Sequence, residues 1–452
     1  MDEIVVDFQG ARSRSGDLTW AQREMWHLHA RFRPHHYYFN FGRLLPVPRG
    51  RTVEDVADAV RRLVECYEAF RTTISVGPDG SPRQHVAGSG EYRLALHEAG
   101  KADGELAEQL SYEYKGHAFE DEEWPLKAAV ITCEGTPTYV LFMFSHLAVD
   151  RLGSELACGT FAKLLKGEPD DLPAALTHPL DQAEAETSPA GLRSARRSAD
   201  YWRRTLATIP PTMFTKREPE VSASWSPAGN LDSVAAALAA ATLGAELGAS
   251  STGVVLAAVS ALLSVRTGQS TVALRLVAAN RSSPALREMV GTQAQTGLFA
   301  VDVTDASFHE VIHRSWAASL LAYRHSSYPP ELIREAIEEV SEQRGVEFDL
   351  GCDVRAATGF KQAPLRRHTP EELERAMPHT TFRRSVLWDR RQLLRLDIGG
   401  VQGASLWLSL GADPTVMTAA DVEILLRGIE RLLVRAVSAD IELKEIPGLV
   451  GW

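Results

Sequence analysis

Cysteine is scarce in this chain: Cys66, Cys133, Cys158 and Cys352 are the only four in 452 residues, and none stands in CxxC spacing. That scatter excludes a zinc knuckle and a disulfide frame, and leaves buried free thiols as the expected state. Long apolar runs are lacking too. The longest, residues 253–265, is too short to span a bilayer. The opening, MDEIVVDFQGARSRSGD, carries acids at positions 2 and 3 and no apolar stretch of signal-peptide length. A cytoplasmic protein with no membrane partner is therefore expected. Basic charge is in deficit, 48 Lys and Arg against 59 Asp and Glu for a net charge of −11, with no basic block that forms a stripe for phosphates. Nucleic acid is accordingly not an expected partner. No P-loop, no GxSxG elbow and no GxGxxG after a strand occurs.

What is present reads as a globular α/β protein. Hydrophobic residues at 44% and charged residues at 24% suffice for a buried core, and the length suits two domains rather than one. The texture changes over residues 167–190, rich in proline, acid and small residues, which places a boundary near residue 172 and gives domains of 1–172 and 173–452. In the first half, residues 52–70 carry apolar side chains at helical period, and YVLFMF at 139–144 is a buried strand. In the second half, residues 254–265 read as a buried helix capped by Ser251 or Thr252. TVALRLVA at 271–278 reads as a strand and residues 421–437 as a periodic helix. Each half thus gets its own sheet.

Two patterns carry candidate chemistry. SHLAVDR, residues 145–151, directly follows the buried strand, and polar groups at the end of such a strand are held rigidly beside open space. His146 there has a pKa suited to taking a proton from an amine or hydroxyl, and Asp150 is spaced to orient the loop or ring. Taken alone, the pattern is a weak signal and favours a hydrogen-bonded structural histidine over a catalytic one. Ser145 is not a nucleophile for its neighbour, since adjacent side chains seldom point the same way. HEVIH, residues 309–313, matches the HExxH pattern: on a helix His309 and His313 share a face, with Glu310 as base and Glu335 a conceivable third ligand. The pattern also arises by chance, and the favoured reading is an exposed amphipathic helix that holds no metal.

The order of the pieces says more than any one of them. LTWAQREMWHL (18–28), with Ala21, Gln22 and Trp26, resembles the opening motif of the condensation domains of nonribosomal peptide synthesis. CYEAFRTTISVGPDGSPRQ (66–84) resembles their second motif at Glu68, Arg71, Thr72, Gly80, Pro82 and Gln84, and WPLKAAV (124–130) the segment before the active-site strand. SHLAVDR falls where the family has HHxxxDG, followed by Tyr201-Trp202, VALRLVAANR (272–281) and MVGTQAQTGLFAVDV (289–303), so the resemblance covers residues 18 to 437.

It implies two chloramphenicol acetyltransferase-like lobes forming a V-shaped pseudodimer, with an inter-lobe tunnel entered from both sides. It also implies a free-standing condensation enzyme that moves an acyl group from a carrier-protein thioester to an amine or hydroxyl. His146 would be catalytic. Asp150, Arg281 from the other lobe and Ser145 would be structural at the active site, and Arg151, Gly153, Gln295 and Thr296 would bind substrate. No cofactor would be held by the chain itself, the phosphopantetheine arriving on an acyl or peptidyl carrier protein in trans, because no adenylation domain or carrier serine motif is seen. The alternative is a non-catalytic relative that recruits carriers or a partner enzyme. Two positions depart from the motif. Ser145 replaces its first histidine. Arg151 replaces its glycine, either gripping an anionic acceptor or turning outward to pair with Glu155.

Overall fold

The computed structural model describes residues 2–100, 103–167, 177–215, 225–356, 367–387, 392–401 and 405–452. It divides into two compact units: Met1–Arg196 with Ala279–Gln295 and Tyr328–Pro330, and Arg197–Ala278 with Thr296–Ser327 and Glu331–Trp452.

The first unit contains strands β1 (Asp2–Gln9), β2 (Arg14–Asp17), β3 (Phe41–Pro46), β4 (Thr72–Val76), β5 (Pro82–Val86), β6 (Ser89–Glu98), β7 (Leu126–Cys133) and β8 (Thr136–Phe144). Its helices are α1 (Trp20–Phe32), α2 (Val53–Cys66), α3 (Asp103–Lys115), α4 (Arg151–Lys166) and α5 (Pro179–Thr187); the division from the second unit falls inside α6 (Pro189–Leu206). Five strands form a sheet in the order β1-β6-β7-β8-β3, and β2-β5-β4 form a smaller one. Only β6 and β7 run parallel in the larger sheet.

The alternation of side chains explains why YVLFMF is apolar throughout. Val140, Phe142 and Phe144 share one face with Ala128 and Val130, and pack with Val60 and Leu63 of α2 and with Phe161 and Leu164 of α4. Leu141 points the other way with Ala129 and Ile131, against Ala107 and Leu110 of α3. Helices cover both faces, so neither register of the strand has room for a polar residue.

The second unit holds β9 (Ser226–Ser233), β10 (Thr271–Ala278), β11 (Gln295–Asp302), β12 (Cys352–Ala356), β13 (Thr381–Leu387), β14 (Leu394–Val401) and β15 (Ser405–Ala412), in the order β11-β10-β12-β14-β15-β9-β13. Its helices are α7 (Val234–Leu247), α8 (Ser251–Thr267), α9 (Pro284–Arg287, which joins the first unit in space), α10 (Phe308–Arg324), α11 (Pro330–Arg344), α12 (Pro370–Ala376), α13 (Ala419–Ser438) and α14 (Ile446–Val450). Helix α8 is buried almost all round, which fits its lack of a polar face. Its cap is Ser250, one residue before the expected Ser251 or Thr252: the Ser250 hydroxyl accepts from the Gly253 amide at 3.0 Å. The strand and helix expected at 271–278 and 421–437 are β10 and α13. No single helix among the described residues is long and apolar enough to cross a membrane.

The expected boundary near residue 172 lies outside the described residues, and the compact units divide later, between Arg196 and Arg197. The reason is α5, which polar contacts tie back to the start of the chain. Asp181 pairs with Arg12 at 3.0 Å and Arg14 at 2.8 Å, while Glu186 accepts from the Trp20 amide at 2.7 Å and from Gln182 at 3.0 Å. Trp20 opens α1, so Glu186 satisfies an amide that the helix itself leaves unpaired.

Burial pushes the Glu186 carboxyl up to about 7, outweighing the hydrogen bonds and the nearby Arg23 charge that favour the carboxylate. A raised folded-state pKa supplies stability that is complete below the ordinary carboxylate pKa and is lost as pH rises through about 7. Glu186→Gln keeps an acceptor for Trp20 and removes the buried charge. Its melting temperature relative to the parent should therefore be higher at pH 8 than at pH 5; an offset independent of pH would show that Glu186 does not titrate in this range.

Candidate active site

The site is built where β8 stops. Phe144, its last residue, is paired with Leu126 of β7 on one side and Phe41 of β3 on the other, so the chain leaves the sheet between two strands. The Ser145 amide extends the ladder by one bond, donating to Pro125 O at 2.9 Å. The Ser145 carbonyl then accepts from the amides of Ala148 and Val149, folding residues 145–149 into a tight turn. The Ser145 hydroxyl lies over this turn, accepting from the Leu147 amide at 3.4 Å. Its role is local, and it makes no bond to the neighbouring ring.

Of residues 145–150, His146 alone is not fully buried. Its ring stands edge-on to Phe41 with centroids 4.6 Å apart, and its backbone carbonyl accepts from the Thr292 hydroxyl at 2.5 Å. The peptide is clamped while the residue keeps partial exposure, although its Nδ1 is buried.

Asp150 fixes the far end of the loop. One carboxylate oxygen caps α4, accepting from the Gly153 amide at 2.8 Å. Arg281 meets the carboxylate in a two-pronged pair, 2.9 Å on each side, and the amides of Gln293 and Ala294 add bonds of 3.0 and 3.1 Å. Arg281 also donates to the carbonyls of Ala279, Met289 and Gly291. Both side chains of the pair are only 5% exposed. Arg281 was expected from the other lobe, but residues 279–295 pack within the first unit. The chain returns to that unit, and the Asp150 contacts are part of what holds it there.

The four residues expected to bind substrate are placed differently. Gly153 is a packing position: a Cβ there would lie 2.9 Å from Gly291 O. The Gln295 amide is buried and spent on Glu24 at 3.1 Å and Tyr328 O at 2.9 Å. Arg151 turns outward and pairs with Glu155 at 3.0 Å, with the two side chains 57% and 42% exposed, so the surface alternative describes it. Thr296 is half-buried on β11.

Sequence reasoning missed three residues. Phe41 and Thr292 position His146 as described. The third, His29, comes up from α1 on the inner side of the loop, stacked on Phe39 at 5.6 Å and tilted against His36 at 5.2 Å. Burial drives the His29 imidazole down to about 3, with repulsion from His36, His146 and Arg33 adding to it, so the ring stays neutral. Gln22, His29, Thr72, Ser145, Leu147 and Ala148 line a cavity of about 30 Å³ beneath the loop. The opening motif acquires a physical role here: Thr19 and Gln22 form a reciprocal cap that starts α1, and α1 carries His29.

HEVIH occupies the first turns of α10. Glu310 is committed to a reciprocal cap with Ser307, and His309 bonds to Ala436 O at 3.1 Å and to Asp440 through its amide. Among the described residues, no group of three His, Cys, Asp or Glu side chains is placed to hold a metal.

Comparison with known proteins is consistent along most of the chain. The condensation-domain family profile matches residues 14–350. The isonitrile lipopeptide synthase of Mycobacterium tuberculosis is 25% identical over 350 residues, which is 71% of this chain and 13% of that protein. The chain spans 5% of the length of the first curated relatives it matches and 27% of the length of another. Among solved structures, the first condensation domain of the CDA synthetase superposes with a TM-score of 0.70 at 16% identity, covering 96% of this chain and 98% of that one. The X-domain solved in complex with OxyB from teicoplanin biosynthesis gives 0.72 at 18% identity, with 96% of each chain covered. At these identities the superpositions establish the mixed α/β fold.

Removing one charge of a buried pair strands the other, at a cost of about 3–5 kcal/mol. Asp150→Asn also turns an amide donor toward amides that need an acceptor. Its denaturant midpoint should fall well below that of the parent, and an unchanged midpoint would show that the Arg281 pair is not needed for stability.

Proposed function

We propose that this chain, which belongs to the condensation-domain family, transfers an acyl group from a carrier-protein thioester to an amine and so forms an amide. The phosphopantetheine that bears the thioester arrives on the partner carrier and is not held as a resident cofactor. His146 supports this reading more than any other feature: it is the one partly exposed residue, and a titratable one, on an otherwise buried, hydrogen-bonded turn.

In the reaction the amine nitrogen attacks the thioester carbonyl carbon, the C–N bond forms and the C–S bond breaks. His146 accepts the proton released by the nitrogen and returns it to the departing thiolate. No bond forms to the enzyme. Much of the rate comes from holding the two reactants in line, which is worth roughly 7–11 kcal/mol when the geometry is right. A hydroxyl acceptor would give an ester by the same steps.

The second reading is a non-catalytic protein that recruits a carrier or another enzyme. Ser145 in place of the motif's first histidine favours it. Against it, Ser145 is used in the turn, and both His146 and the Asp150 clamp are intact.

Reconstitution with acyl-loaded carrier proteins and candidate amines separates the two. His146→Ala should keep the parent melting temperature and lose about 10²- to 10⁴-fold in amide formation, whereas His309→Ala and His313→Ala should remain near the parent rate. Undiminished turnover in His146→Ala would remove the histidine from the chemistry. A parent protein that binds carriers yet forms no amide would establish the recruiting role.

A further inference from the structure

The second unit carries a concentrated positive charge on a protein whose net charge is −11. Tyr201 of α6 stacks on His325 at the end of α10, ring centroids 4.7 Å apart and planes within 17°. Arg197 and Arg204 lie four residues before and three residues after Tyr201, so all three share one face of α6. Arg324 is the last residue of α10, beside His325. All three arginines are exposed, and among the described residues none is paired with a carboxylate; the acids nearby in sequence and fold, Asp200 and Glu339, are taken by Arg203 at 3.5 and 2.7 Å. Burial, and after it the charges of Arg324, Arg204 and Arg197, disfavour the charged form of His325.

One turn before Arg324 and His325, Leu320 and Leu321 are 49% and 47% exposed. Unpaired arginines beside exposed leucines and an aromatic ring form the mixture found at protein interfaces. The leucines decide between ligands, because a small anion has no use for them. From Arg197 to Arg204 the face of α6 spans about 10 Å, two turns of a facing helix.

We propose that this face docks an acidic helix of the carrier protein that delivers the acyl thioester, with carboxylates of the partner meeting Arg197, Arg204 and Arg324 and an apolar partner residue covering Leu320 and Leu321. The partner's identity rests on the acyl-transfer assignment above; the surface itself does not.

Two measurements on the whole chain test it. Fluorescence anisotropy with a labelled, phosphopantetheinylated carrier from the same pathway reads docking without chemistry. Turnover of one acyl group, presented either on that carrier or on N-acetylcysteamine, reads its consequence. In R197E/R204E/R324E, carrier binding should weaken by about tenfold or more and should be partly restored by Lys at the facing acids of the carrier. The KM for the carrier-bound donor should rise in parallel, while turnover of the small thioester stays within about twofold of the parent. Should the triple variant unfold, R324E alone should show the same trend at smaller size. Unchanged carrier binding in a folded variant, or a parent that binds no carrier, overturns the docking surface and leaves acyl transfer from the small thioester standing. Displacement of the carrier by coenzyme A alone would assign the face to a phosphate and overturn protein docking. If the parent turns over neither thioester, the functional assignment fails, and anisotropy still reports on the surface.

Discussion

The buried pair of Asp150 and Arg281 is the constraint on which the site depends. Two carboxylate oxygens receive five hydrogen bonds: two from the guanidinium, one from the first turn of α4, and two from the amides of Gln293 and Ala294. Two stretches of chain, far apart in sequence, are thereby held at one point: residues 145–153, where the loop after β8 runs into α4, and the segment 279–294. A buried ion pair is not by itself strong evidence of stability, because desolvation costs several kcal/mol per charge. Here nearly every lone pair and donor is used, which is the condition under which such a pair holds one geometry rather than several. His146 inherits that order, since the Thr292 hydroxyl that grips its carbonyl belongs to the same returning segment.

The sheet supplies the other half of the rigidity. Strand β8 is flanked by β7 and β3 and covered by helices on both faces, so the strand end cannot shift without breaking packing at Phe142, Phe144 and Phe161. On the inner side of the turn, His29 is kept neutral by burial, and it places no positive charge next to His146. A charged imidazole beside it would oppose the proton uptake proposed for the His146 ring.

Much of this was legible in the sequence, and the limits have physical causes. The apolar run 139–144 and the polar residues after it announced a rigid strand end, because local patterning reports burial directly. The helix over 52–70 appeared as α2, which stops at Cys66. Contacts that depend on distant partners left no local trace. Asp181 meets Arg12 across 169 positions, so the linker-like composition of residues 167–190 concealed a helix that belongs with the first unit. Gly153 and Gln295 stand beside functional motifs yet are consumed by packing and by bonds to Glu24 and Tyr328, and nothing in the one-dimensional pattern separates a side chain facing a substrate from one facing its own backbone. Arg281 could be named only through family resemblance, and its place in the first unit only from the structure.

The central claim is that His146, held by this clamp, mediates direct transfer between two bound substrates. Intact-mass spectrometry of enzyme, acyl-loaded carrier and amine, sampled within a single turnover, tests it most directly. The account predicts loss of the acyl mass from the carrier in step with the appearance of amide, and no mass added to the enzyme at any time. An acylated enzyme that forms and decays on the path to product, or a carrier that keeps its acyl group in the presence of every amine offered, would contradict it.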